Sequence, residues 1–352
     1  MDASGSTPRE TRAASSGVAA PAASVPCIGD GKSGNRVQAL YVHAPGQNRL
    51  AQYQSSFQRW AADTDTIYNA SATETGGTRH VRFLTDSGCN AALTAVEVGA
   101  SDLQSFDSMN RALGAKGFDR RDRKYLIFAD AKVYCGIGTM AGDDRPGAGN
   151  RSNFGPSYAR VDAGCWNGQT AAHELGHNLG AVNDSAPHSS KGGHCVDEWD
   201  IMCYSDEPFH PRMQVLCPDR AKDARLDCNH DDYYNTAPKP GSYLATHWNV
   251  ADSTFLSKGG DTDNGTGGST GPQAHATQVK ATSAVLSWRS IPSADRYTVR
   301  VNGRSFGNVK GLRLSLTSLW PGTAYTVTVT AHTPKGTTKP GPAATFRTKE
   351  VQ

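Results

Sequence analysis

Apolar positions in the first two thirds of the chain change period repeatedly. From Arg36 to His43 they alternate, with Val37, Ala39, Tyr41 and His43 on one face and Leu40 and Val42 on the other, which predicts a buried strand. Leu50, Tyr53, Phe57, Trp60, Ala61, Ile67 and Tyr68 then recur near helical spacing and predict an amphipathic helix over residues 48–69. A strand follows over residues 80–84. Leu103, Phe106, Met109 and Leu113 predict a second helix closed by Gly117. Residues 124–131, with Tyr125, Leu126, Ile127, Phe128 and Ala129 in an unbroken apolar run, read as a strand buried on both faces. Residues 140–157 are a Gly- and Asp-rich loop, Tyr158–Val161 is a short strand, and residues 241–248 are a closing helix or strand. Strand, helix, strand, helix, strand is the order of an α/β layered domain.

The last third has a different rhythm. Residues 259–271 carry no apolar side chain and read as a flexible linker. Beyond them the period is two: Ala284, Leu286 and Trp288; Tyr297, Val299 and Val301; Tyr325, Val327, Val329 and Ala331. Asn302-Gly303 is a hairpin signal. Short strands punctuated by turns predict an all-β sandwich.

The chemistry concentrates in residues 169–181, around His173-Glu174-Leu175-Gly176-His177. On a helix, residues four apart share a face, so His173 and His177 can offer both imidazoles to one metal ion. Glu174 is then placed to take a proton from a water polarised by that metal, and zinc suits such a site. Gly180 stands where the helix would stop in a left-handed cap.

This stretch resembles the metzincin clan of zinc endopeptidases, whose pattern runs His-Glu-x-x-His-x-x-Gly-x-x-His with a later Met-turn. The match holds from His173 to Gly180. The clan's third ligand would then fall on Asn183, a poor zinc ligand, which leaves His194, His188 and Asp184 as alternatives. His194 is favoured, because residues 194–202 resemble the third-ligand segment of archaemetzincins, with Asp200 in place of a Cys. Met202 and Tyr204 match the Met-turn. The resemblance implies Met202 as an apolar floor and Tyr204 as a group reaching the developing oxyanion; the plain alternative for Tyr204 is a half-buried core tyrosine. It further implies a twisted sheet backing the helix, and makes Tyr158–Val161 the edge strand of the cleft, open to an extended peptide. Over residues 272–349, Trp288, Tyr297 and residues 319–325 resemble a fibronectin type III domain with Tyr325 as its corner tyrosine.

The expected organisation is a disordered segment 1–34, a metzincin-like zinc peptidase domain 35–258, the linker 259–271 and a fibronectin type III domain 272–349. The 352 residues carry a net charge of only +3, scattered, and no apolar run of spanning length, so neither nucleic acid nor membrane is an expected partner. Eight cysteines form no Cys-x-x-Cys pair. In a zinc peptidase an even count reads as four disulfides formed outside the cytosol. Local pairing would join Cys27 to Cys89, Cys135 to Cys165, Cys195 to Cys203 and Cys217 to Cys228, although spacing does not fix connectivity. Residues 1–26 lack the apolar core of a signal peptide, so the expectation of secretion rests on the cysteines. Acidic residues near Cys228 lack calcium-loop spacing and read as a solvated turn. The chain is therefore expected to be a secreted endopeptidase with Zn2+ on His173, His177 and His194, Glu174 as general base and Tyr204 assisting. Its partners would be a protein or peptide substrate and a matrix or polymer ligand for the C-terminal module. The alternative is a catalytically inactive, metzincin-like adhesion protein that works through its fibronectin type III module.

Overall fold

The computed structural model describes residues 24–259 apart from Glu207, and residues 271–350 apart from Pro292, Ser293, Pro334, Lys335 and Lys339. The chain divides into two compact units, 1–261 and 262–352. Most of the disordered segment expected over residues 1–34, and most of the linker, lie outside the described residues. Residues 25–34 do not fit that expectation. Val25 and Ile28 are buried and Cys27 is bonded to Cys89, so this stretch is packed onto the first unit.

The first unit is an α/β layer structure. Its elements are β1 (Arg36–His43), α1 (Leu50–Glu74), β2 (His80–Val81), β3 (Leu93–Glu97), α2 (Phe106–Ala115), β4 (Arg123–Ala129), β5 (Gly136–Gly138), β6 (Ser157–Asp162), α3 (Gly168–Leu179), β7 (Asp197–Glu198), β8 (Gln214–Val215), α4 (Tyr243–Thr246) and β9 (Leu256–Ser257). The main sheet has the order β3-β1-β4-β6-β5, parallel except for β5. Side chains alternate across it as the pleat requires. Tyr41, Leu126, Phe128 and Val161 meet α1 and α3 on one face, while Leu40, Val42, Tyr125 and Ile127 meet Met109 and Leu113 of α2 on the other. The unbroken apolar run of β4 is thus explained by two covered faces.

Several boundaries differ from the sequence reading. Helix α1 runs five residues past 69, because Ser71 and Ala72 continue its buried face and the Ser71 hydroxyl accepts from Leu226 N at 2.9 Å. The strand expected at 80–84 splits. His80 and Val81 pair with β9, whereas Phe83 bridges to Val37. The expected edge strand, now β6, is interior: it pairs with β4 on one side and β5 on the other. The edge belongs to β5, a Gly-Ile-Gly segment with no helical or alternating signature.

Helices α1 and α3 pack closely. A Cβ on Gly168 would come within 2.4 Å of Asp63 Cβ, and Tyr68 donates to Ala172 O at 3.2 Å. One end of the sheet is tied by a fully buried pair. Arg160 Nε donates to Asp162 at 2.6 Å and Nη2 donates to Leu103 O at 2.8 Å, while Asp162 also accepts from Val133 N and Tyr134 N. After α3 the chain is largely irregular and is stapled by disulfides Cys195–Cys203 and Cys217–Cys228; Cys135–Cys165 clips β5 to the loop before α3. All four bridges match the local pairing.

The second unit is an all-β sandwich of β10 (Ala274–Thr277), β11 (Ala284–Trp288), β12 (Arg296–Val301), β13 (Arg304–Val309), β14 (Arg313–Leu316), β15 (Ala324–Thr333), β16 (Gly336–Thr337) and β17 (Ala344–Arg347). Sheet β10-β11-β14 faces a sheet of β13, β12, β15, β16 and β17. Leu286, Trp288, Tyr297, Val299, Leu316 and Val329 fill the core. Asn302 and Gly303 both take positive φ, 49° and 77°, in the hairpin between β12 and β13. Tyr325 Oη accepts from Trp320 N at 2.7 Å, the corner contact expected of it.

Removing one partner of a fully buried ion pair strands the other charge, at a cost of about 3–5 kcal/mol. Asp162→Asn is therefore expected to lower the unfolding free energy of the first unit by about that amount in urea titrations. A loss below about 1 kcal/mol would mean that the Arg160–Asp162 pair does not hold this end of the sheet.

Candidate metal centre

Helix α3 is set by its ends. Asn167 Oδ1 accepts from Thr170 N at 2.7 Å at the start. Gly180, with φ +94°, caps the end, and Trp248 Nε1 donates to Leu179 O at 2.8 Å. A Cβ at Gly180 would come within 2.6 Å of that indole nitrogen, so the cap needs glycine twice over. The helix lies against β5 just as closely. A Cβ on Gly136 would stand 2.1 Å from Glu174 Oε1, and one on Gly138 would stand 2.9 Å from His177 Cβ. Beneath Gly176 lies Met202, fully buried, whose Sδ would be 2.7 Å from a Cβ there. Met202 therefore packs as an apolar side chain against the underside of α3.

Three imidazoles converge above this floor. The His173, His177 and His194 ring centroids are 4.9, 5.3 and 4.7 Å apart, and His173 Nε2 and His177 Nε2 are separated by 3.2 Å. One ring nitrogen from each lies within 4.8 Å of the others. Each Nδ1 faces an acceptor: Ile201 O at 2.7 Å for His173, Ala181 O at 3.2 Å for His177 and Asp206 Oδ2 at 2.7 Å for His194. An acceptor there fixes the proton on Nδ1 and leaves each Nε2 a bare lone pair. Burial, with the His194 ring beside it, lowers the His173 pKa to about 3, and burial likewise lowers His177 and His194, so the rings are neutral as ligands must be. Three ring nitrogens within 4.8 Å of one another, one of them a buried His194 Nε2 with no donor, make a donor set that fits a zinc ion.

Glu174 is buried beside them, its Oε2 without a hydrogen-bond donor, and burial raises its pKa well above the ordinary carboxylate range. A dication opposite it would favour the ionised form again. Tyr204 is 38% exposed; its ring lies 3.9 Å from that of His194 and 6.0 Å from that of His173. Burial, and then the Glu174 and Asp206 charges, raise its pKa, so it remains an O–H donor at neutral pH.

The alternatives for the third position go elsewhere. Asn183 is buried and donates to Gly180 O at 3.3 Å, bracing the turn after α3. Asp184 is exposed. His188 turns away into a group with Asp197, Asp231 and Asp232. His194 reaches the other two rings because Cys195, bonded to Cys203, also donates its backbone N–H to Met202 O at 3.1 Å. Asp206 had no signal in the sequence, since an Asp four residues past the Met is not part of a recognisable spacing. It accepts from Ser190 Oγ at 2.8 Å as well as from His194, and so ties both ends of the 190–194 loop. The expected solvated turn near Cys228 is also corrected. Asp227 and Asp232 are buried, and Asp227 accepts from the backbone N–H groups of residues 231–234.

Comparison with known proteins adds the C-terminal unit. The fibronectin type III domain family matches residues 270–347, and that region is a fibronectin type III domain. No curated protein matches the chain. Among solved structures, a fibronectin type III domain of human fibronectin type III domain containing protein 3 is 17% identical, covering 26% of this chain and 94% of that one with a TM-score of 0.22. The sixth such domain of the same human protein is 19% identical over 25% and 92%, with a TM-score of 0.24. The central fibronectin type III array of RIM-binding protein is 35% identical over 22% and 28%, with a TM-score of 0.19.

Losing the acceptor behind a ligating histidine typically lowers metal affinity roughly 10–100-fold. If zinc occupies the three-histidine centre, Asp206→Ala weakens its binding by that factor with the fold retained. In the cobalt(II)-substituted chain, the visible absorption of a four-coordinate site should vanish in His194→Ala and persist in His188→Ala. The reverse pattern would assign the third ligand to His188.

Proposed function

We propose that the first unit is a zinc-dependent endopeptidase whose metal is held by His173, His177 and His194. The observation that carries this reading is the convergence of three imidazoles, each with its Nδ1 at an acceptor, beside a buried carboxylate, Glu174. Zinc would supply Lewis-acid polarisation, which brings the pKa of a water from 15.7 to about 7. Hydrolysis adds that water across the peptide C–N bond. Glu174 takes the proton the water gives up and delivers it to the departing amine. Its position against Gly136 leaves the carboxylate little freedom to turn away. Tyr204, protonated and partly exposed at the mouth, donates to the carbonyl oxygen as negative charge develops there. The open edge of β5, the strand next to α3, is where an extended peptide would add as a further strand. Four disulfides suit a secreted chain, and no helix among the described residues is long and apolar enough to cross a membrane.

The C-terminal module favours a second, compatible role in binding. Trp320 is 76% exposed on it, a large indole of the kind that anchors a protein or polymer ligand.

Glu174→Gln is nearly isosteric and removes only the base. It is expected to keep bound zinc and to cut casein hydrolysis by roughly 10²–10⁴-fold. Loss of zinc in this variant would make Glu174 a ligand and overturn the assigned roles; full activity would remove it from the chemistry. Each unit has its own core, so a chain ending at Lys258 should cleave a short peptide at the rate of the full chain. A truncated chain that holds zinc but cleaves nothing would show that the sandwich takes part in the reaction.

A further inference from the structure

His188, Asp197, Asp231 and Asp232 come from three separate segments, Asp197 at the start of β7, and lie close together. His188 Nδ1 lies 3.0 Å from Asp197 Oδ2, 3.2 Å from Asp232 Oδ2 and 3.7 Å from Asp231 Oδ1. One donor atom of each residue lies within 4.8 Å of the others. Asp197 and Asp232 are 2% and 3% exposed. Among the described residues the ion pairs of these three carboxylates go to His188, and one imidazolium can neutralise only one of three charges.

A second observation points to a missing ligand. Asp197 Oδ2 is engaged by His188 and by Asn229 Nδ2 at 3.0 Å, yet Asp197 Oδ1 is sealed from solvent with no donor. Asp231 Oδ1, on the His188 side of its carboxylate, is also sealed and has no donor. Two buried acceptors left bare in one place are costly unless a cation satisfies them. The surroundings are fixed in advance: Asp232 Oδ1 accepts from His188 N at 2.8 Å, and Asp227 gathers the backbone N–H groups of the 231–234 turn.

We propose that His188, Asp197, Asp231 and Asp232 bind a divalent cation, which displaces the proton of His188 Nδ1, at a site separate from the three-histidine centre. An imidazole among three carboxylates suits manganese or zinc better than calcium, which takes about six to eight oxygen ligands. The ion joins the segment that carries His194 to the 227–234 turn. It clamps the loop that delivers the third histidine, with Val196 N donating to His188 O at 2.9 Å as part of the same hinge.

The test is metal content and affinity in the full chain, stripped with a chelator and dialysed against manganese or zinc alone. The double variant Asp197→Asn with Asp232→Asn should retain one ion fewer per chain than the unsubstituted protein, whereas His194→Ala should leave this ion in place. Asp231→Asn, on a half-exposed side chain that the fold does not need, should weaken it by at least the roughly tenfold typical of an outer partner. If the double variant loses its near-ultraviolet circular dichroism, Asp231→Asn decides alone. Unchanged ion content and affinity in the Asp variants would overturn the site. An ion lost on His194→Ala but indifferent to Asp231→Asn would do the same while leaving the three-histidine reading intact. An ion lost in the Asp variants alone would establish this site even if the three histidines held nothing.

Discussion

The architecture of the first unit depends on how three imidazoles are made to face one another. A histidine ring turns freely until one nitrogen is tied. Here each Nδ1 is tied by a different part of the chain: the backbone carbonyl of Ile201, the turn carbonyl of Ala181 and the Asp206 carboxylate. That choice places three lone pairs in a small buried space, an arrangement repulsive by itself and favourable around a cation. Much of the surrounding structure serves it. Met202 sets the depth of α3, Gly136 and Gly138 let β5 approach the helix, and Cys195–Cys203 brings a residue from beyond a long loop back beneath it.

The layered fold and the helix were legible because both rest on local periodicity. β4 announced itself by an apolar run, and α3 by its spacing and by Gly180. The helix pair His173 and His177 was legible for the same reason. The place of His194 beside them was legible only through its neighbours Cys195 and Met202, since no periodic rule carries a side chain across the 180–194 loop. Three features had no such signal. The edge of the sheet falls on Gly136-Ile137-Gly138, chosen for backbone clearance rather than for side chains that pack, so strand propensity passed over it. Asp206 acts through a tertiary hydrogen bond, and the acids near Cys228, Asp227 and Asp232, looked polar and therefore solvated, although their neighbours exclude water.

Those acids give the irregular region its organisation. Asp200 accepts from Met202 N, Cys228 N and Tyr233 Oη, Asp227 winds the 231–234 turn, and Asp197 and Asp232 meet at His188. A segment with little regular secondary structure is thus held by buried carboxylates and disulfides in place of a ladder of strands. The fibronectin type III domain is built on the opposite plan, with alternating strands and a corner tyrosine, and its exposed Trp320 is available for binding.

The central claim is that His173, His177 and His194 together hold one zinc ion. X-ray absorption at the zinc edge, on the Asp197→Asn/Asp232→Asn chain loaded with one equivalent of zinc, tests it most directly. The expected result is three imidazole nitrogens at about 2.0–2.1 Å completed by a light oxygen ligand. A shell with fewer than three imidazoles, or one unchanged by His194→Ala, would contradict it.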